Sequence, residues 1–264
     1  MELVNLHNHT SLCGHASGTL REYVEMALAQ NISVMGFSDH APLPASLRPG
    51  ITMAPEETET YIADVLALAK DFGSAPKILL GFEVDFPLHD SFDRGYFSDP
   101  RIDYLIGSCH FIDDWAFDHE DFIDEFSRRD IDEVYGHYFS IIDDLVSSGL
   151  FNIVGHFDLV KKFGHRATRD FPLEVSTIAK KMAAGNIAAE LNTSGLIKPV
   201  GEIYPSKQIV EIFFENNVPV TLGSDSHSPE HVGYGFGQAV ALLKEVGYRK
   251  ICYFEKGIRH DVSL

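Results

Sequence analysis

Seven of the thirteen histidines in this 264-residue chain fall in short clusters, each placed just after an apolar run of the kind that forms a β-strand. They are His7, His9 and His15 in LHNHTSLCGHA, His40 in FSDHAP, His110 in IGSCHF, His156 in IVGHFD and His227 in LGSDSH. Two carboxylates share the setting, Glu83 in LLGFEVD and Asp225 in LGSDSH. A strand sends alternate side chains to opposite faces, so His7 and His9 point the same way, as do Asp225 and His227, and each pair can chelate one ion. A lone histidine after a strand is ordinarily a hydrogen-bonded loop residue. Here six of seven strand ends carry His, Asp or Glu, and that company reads as a metal site. Mixed imidazole and carboxylate ligands suit divalent Zn, Fe or Mn, whereas Mg and Ca prefer all-oxygen shells. Two such ions ~3.5–4 Å apart can hold a bridging hydroxide and clamp both the attacking and the leaving oxygen of a phosphoryl centre, so the expected nucleophile is water. They also neutralise charge as the P–O bond breaks.

The elements that must position these residues alternate. Strands are expected over 3–7, 33–38, 77–84, 102–109, 151–155, 187–191 and 218–222, with a last short one over 251–254. Helices are expected over 20–30, from Pro55 to Gly73, and over 130–149, 175–185, 206–216 and 238–247. Alternation argues for parallel pairing, and seven or eight such units close into a barrel. An open doubly wound sheet has the same alternation but gathers its site at one switch point, whereas here polar residues follow almost every strand. The expected fold is therefore an α/β barrel made as one domain over 1–264, with the histidines on its rim.

Composition narrows the partners. Lys and Arg number 21 against 39 Asp and Glu, a formal charge of −18 that repels nucleic acid and any other polyanion unless metals intervene. Three cysteines (Cys13, Cys109, Cys252), odd in number and without a CxxC pair, indicate neither a disulfide framework nor a zinc knuckle and fit a reducing cytoplasm. The first histidine arrives after six residues, and no apolar run is long enough for a signal-peptide core or a membrane span, so a soluble, unprocessed protein is expected.

Taken in order, HNHTSLCGHA, FSDHAP, GFEVD, IGSCHF, GHFDLVKKFG, ELNTSGLIKPVGEIYPS and GSDSH resemble the polymerase and histidinol phosphatase (PHP) family, in particular its stand-alone histidinol-phosphate phosphatases. The resemblance spans almost the whole chain. It implies a distorted (β/α)7 TIM-like barrel with three divalent ions: one held by His7, His9, Glu83 and Asp225, a second by Glu83, His110 and His156, and a third by His15, His40 and His227. Glu83 would then bridge two of them. The implied reaction is hydrolysis of a small phosphomonoester, L-histidinol phosphate in histidine biosynthesis. The leaving alkoxide needs a proton or a cation, and Asp158, Asp225 and His227 are candidates. Lys161 and Lys198, with Lys162, are candidate phosphate contacts, and ordinary solvated lysine is the bland alternative. In one place the chain departs from the family pattern. An arginine is expected after SGL, and Ile197 stands there. Either Lys198 substitutes or the substrate differs.

Other motifs are set aside on physical grounds. Asp130-Ile131-Asp132-Glu133-Val134 matches a DxDxV nucleophile pattern but follows no apolar strand, and reads as a helix cap. Residues 233–237, GYGFG, lack both a preceding strand and a Lys-Ser pair, and read as a turn into a helix. No cysteine has an arginine six positions on. His89, His119, His137, His165, His231 and His260 are expected on surfaces or helices, with His89 and His165 in loops able to approach a substrate. The competing functions are a phosphodiesterase or exonuclease of the same family, disfavoured by the acidic balance, and a non-catalytic metal-binding scaffold.

Overall fold

The structure is a computed structural model and describes residues 2–264. Seven parallel strands follow one another in chain order: β1 (Leu3–Asn5), β2 (Ile32–Phe37), β3 (Lys77–Asp85), β4 (Tyr104–Ser108), β5 (Ile153–Val154), β6 (Ala188–Asn192) and β7 (Val220–Gly223). The circle is completed between β7 and β1, where Leu6 N donates to Leu222 O at 3.0 Å and His9 N to Ser226 O at 2.9 Å. Closure decides between the two architectures left open by the alternation: this is the barrel, not the open sheet. Around it pack α1 (Leu20–Ala29), α2 (Thr58–Phe72), α3 (Ile131–Ser148), α4 (Pro172–Gly185), α5 (Lys207–Glu215) and α6 (Phe236–Val246).

The distortion has visible causes. β1 slips register against β2 between Leu3 and Val4, and β5 is only two residues long, shorter than its apolar run predicts. Inside the barrel the Tyr104 ring lies across two strands. A Cβ at Gly36 or Gly81 would overlap that ring, so glycine at both places is what lets the Tyr104 hydroxyl donate to Leu6 O. A large buried aromatic thus ties β4 to β1 and forms part of a packed floor beneath the mouth.

Local signals set the helix boundaries. Thr19 and Glu22 form a reciprocal capping box at α1. Asp130 accepts from the amides of Asp132 and Glu133 at the start of α3, as expected from the capping reading. Residues 233–235 turn into α6, with Gly235 at φ 73° as its N-cap. The expected last strand is β8 (Lys250–Glu255), and it pairs antiparallel with β9 (Ile258–Ser263), which the sequence reading leaves out. Its segment IRHDVS is half exposed and carries little apolar pattern. All three cysteines are buried and unpaired. Among the described residues no helix is long and apolar enough to cross a membrane.

Candidate metal centre

Glu83 sits near the end of β3, fully inside the protein, with one carboxylate oxygen facing each side of the mouth. Its Oε1 lies 2.9 Å from His156 Nε2 and 3.6 Å from His110 Nε2. Its Oε2 lies 3.0 Å from His40 Nδ1, 3.3 Å from His7 Nε2 and 3.6 Å from His9 Nε2. Asp225, just past β7, brings Oδ1 within 3.1 Å of His9 Nε2 and 3.7 Å of His7 Nε2. Ligand-type atoms of His7, His9 and Asp225 lie within 4.8 Å of one another, as do those of His15, His40 and His227. All nine residues named as ligands from the sequence thus come together at one end of the barrel.

The donor set fits divalent transition metals. His7 Nε2, His40 Nδ1 and His227 Nε2 are buried nitrogens at the mouth without a hydrogen-bond partner, a costly arrangement for a site made only of protein. Several imidazoles are oriented by their other nitrogen: His7 Nδ1 is 2.7 Å from Glu190 Oε1, His110 Nδ1 is 2.7 Å from Asp85 Oδ1, and His9 Nδ1 is 3.5 Å from Asp39 Oδ1. Such outer carboxylates fix the tautomer that leaves the opposite nitrogen free for an ion. The chain reading missed them as a class. Asp85 stands two residues after Glu83 and so shares its face, and Glu190 is an acid inside the apolar strand AAELN; both were signals in the sequence.

Charge divides the centre into two zones. Burial would lower His7, but Glu190, Glu83 and Asp225 raise it well above the ordinary imidazole value. Burial likewise opposes, and Asp225 and Asp39 overcome, a rise of His9 to about 9; Asp85 and Glu83 push His110 up to about 10 against the same burial. Burial opposes ionisation of Glu83 and Asp225 too, yet the neighbouring imidazoles, His7 foremost, hold both well below the usual carboxylate range. At the outer edge the balance reverses. Loss of water and the charge of His40 and His9 lower His15 to about 4, and loss of water with His9 keeps His227 well below its ordinary value.

Above the centre opens a cavity of about 570 Å³ whose wall includes Lys162, Ile197, Lys198, His119 and His231. The substrate-side expectations divide here. Lys198 lines this cavity, and its ammonium has no partner among the described residues. Lys161 does not line it: its Nζ is buried against Asp158 Oδ2 at 2.9 Å, Glu202 Oε2 at 3.2 Å and Ile203 O at 3.0 Å. Asp158 goes with it, walling a separate cavity of about 460 Å³ beside α3, α4 and α5. Residues three apart eclipse around the tight turn 159–161, so Lys162 falls on the same side as Leu159 and reaches the mouth while Lys161 turns inward; there Lys162 donates to Asp118 O at 2.7 Å. His119, exposed as expected, and His231, at the end of a short helical turn, also line the cavity wall, while His165 stacks on Phe126 with ring centroids 4.3 Å apart, outside it.

A model of the PHP domain matches residues 5–194. The chain belongs to the PHP-domain family. Among curated relatives of this PHP protein, a probable histidinol-phosphatase of Deinococcus radiodurans is 37% identical, covering 95% of this chain and 96% of the relative. The histidinol-phosphatase of Bacillus subtilis is 30% identical, over 87% of this chain and 95% of the relative. The PHP fold is also that of the crystal structure of histidinol phosphate phosphatase from Lactococcus lactis complexed with Zn, L-histidinol and phosphate. That match has a TM-score of 0.77 at 20% identity, covering 98% of this chain and 99% of the other.

Proposed function

We propose that this chain is a metal-dependent phosphomonoesterase that hydrolyses L-histidinol phosphate to L-histidinol and phosphate. Relatives named histidinol-phosphatase match nearly its full length, which supports the substrate. The observation that carries the reaction is the place of Glu83, one carboxylate with an oxygen toward each of two groups of imidazoles. On this reading one ion would be held by His7, His9, Glu83 and Asp225, a second by Glu83, His110 and His156, and a third by His15, His40 and His227. When bound, the ions supply the Lewis acidity that activates water and neutralises phosphate.

The chain's own groups do the rest. Lys198, unpartnered in the cavity wall, takes phosphate oxygens in place of the arginine absent at Ile197. Asp225, kept ionised by His7 and His9, accepts a proton from the attacking water and returns it to the leaving alkoxide. His227 stays neutral beside it. Asp158, held by Lys161 and by Ser206 N at 2.9 Å, is set aside as proton donor, and Lys161 as phosphate contact. The substrate's ammonium and imidazole suit acidic surroundings while bound metal would offset its phosphate; nucleic acid, a polyanion with no such cationic groups, is repelled by the net charge of −18. Three buried free thiols fit a cytoplasmic setting.

The test is an assay of metal-loaded protein on histidinol phosphate, a nucleoside monophosphate and a dinucleotide. Preferred turnover of histidinol phosphate is expected. Preference for the dinucleotide would indicate a diesterase, and no turnover of any would indicate a scaffold.

A further inference from the structure

Glu190 is the one acidic side chain of β6, and it is 1% exposed. Both of its oxygens are committed, and to different parts of the mouth. Oε1 accepts from His7 Nδ1 at 2.7 Å, while Oε2 accepts from the backbone N–H of His156 at 2.9 Å and from Asn192 Nδ2 at 3.0 Å. His156 has φ 20°, at the edge of the left-handed region that side chains other than glycine rarely adopt, so its peptide needs an external tether. Neighbouring glycines make room for this carboxylate: a Cβ at Gly223 would overlap Oε1, and one at Gly155 would come within 3.6 Å of Oε2.

We infer that Glu190 is a positioning residue that sets His7 and His156 at a fixed separation by gripping the ring of one and the backbone of the other. It is not among the nine residues that would hold the ions. Its work is to hold His7 in the tautomer with Nε2 free and to anchor the β5 loop so that His156 Nε2 meets Glu83. Glutamine fits the same space but presents only one acceptor oxygen and a donor nitrogen, so it cannot serve both ends. Aspartate retains both acceptors but falls short by one methylene.

This inference rests on the metal-centre reading, and its test separates the two. Wild-type, Glu190→Gln and Glu190→Asp proteins are stripped, reloaded with Mn²⁺ and titrated against a competing chelator, with melting temperature and the electron paramagnetic resonance of the bound Mn²⁺ recorded alongside. Glu190→Gln is expected to weaken Mn²⁺ binding roughly 10–100-fold and to alter the spectrum of the coupled ions, with kcat falling more than KM rises. Glu190→Asp should recover part of the affinity. If wild-type protein takes up neither Mn²⁺ nor Zn²⁺ nor Fe²⁺, the metal-centre reading itself fails. If wild-type binds Mn²⁺ and Glu190→Gln matches it in affinity and spectrum, or loses only melting temperature, the positioning role is overturned while the metal centre stands.

Discussion

Glu83 Oε1 and His156 Nε2 meet at 2.9 Å across the barrel mouth, although the residues are 73 positions apart in the chain. The same carboxylate turns its other oxygen to His7 at 3.3 Å and His9 at 3.6 Å, so it stands where two ions would share a ligand. Glu83→Gln is expected to reduce bound metal, counted by elemental analysis, from near three per chain, and to lower turnover about 100-fold or more, since even outer partners of metal ligands carry 10–100-fold effects. A wild-type count of zero to one would contradict the three-ion proposal.

His110 is oriented by Asp85 and faces Glu83 from the end of β4. His110→Ala should abolish most turnover with the far-UV circular dichroism spectrum preserved, because a mouth residue contributes little to the packed floor below. Wild-type activity in this variant would remove the fourth-strand histidine from the site.

Lys198 separates phosphate binding from chemistry. Lys198→Ala is expected to raise KM roughly ten-fold with a smaller change in kcat, the loss of one charge-assisted contact. Restoring the family arginine with Ile197→Arg should lower KM, and Lys161→Ala should affect stability rather than KM because its ammonium is buried against Asp158 and Glu202. Steady-state kinetics on the three variants checks the assignment.

The pH dependence of the metal-free protein follows from His9 at about 9 and His110 at about 10, both above the ~6.5 of a free imidazole. A group whose pKa rises on folding stabilises the fold fully below its unfolded value and loses that contribution as pH climbs through the folded one. Stripped protein should therefore lose melting temperature progressively between about pH 6.5 and about pH 10. Metal competes with the same protons, so Zn²⁺ affinity should increase over this window. A flat melting profile for stripped protein would contradict the assignment.

Gly223 tests how tightly the surroundings of the site are built. Gly223→Ala places a methyl against Glu190 and the Cβ of His7, and should lower stability by about 1–3 kcal/mol while weakening metal retention. Thermal melts with and without added Zn²⁺ would show both effects.

The chain itself disclosed the ligands because their signal is local. A polar residue that closes an apolar run marks a strand end, and period-two alternation places His7 with His9 and Asp225 with His227 on shared faces. Parallel pairing in chain order then carries those ends to one rim. What needed the tertiary structure were relations between residues distant in sequence: closure of β7 on β1, the pairing of Glu190 with His7 and Asp85 with His110, and the division of adjacent lysines between interior and mouth. Alternation says which face a side chain occupies. Only packing decides which partner it meets there, because a carboxylate's role depends on contacts within about 3 Å that no spacing along the chain encodes.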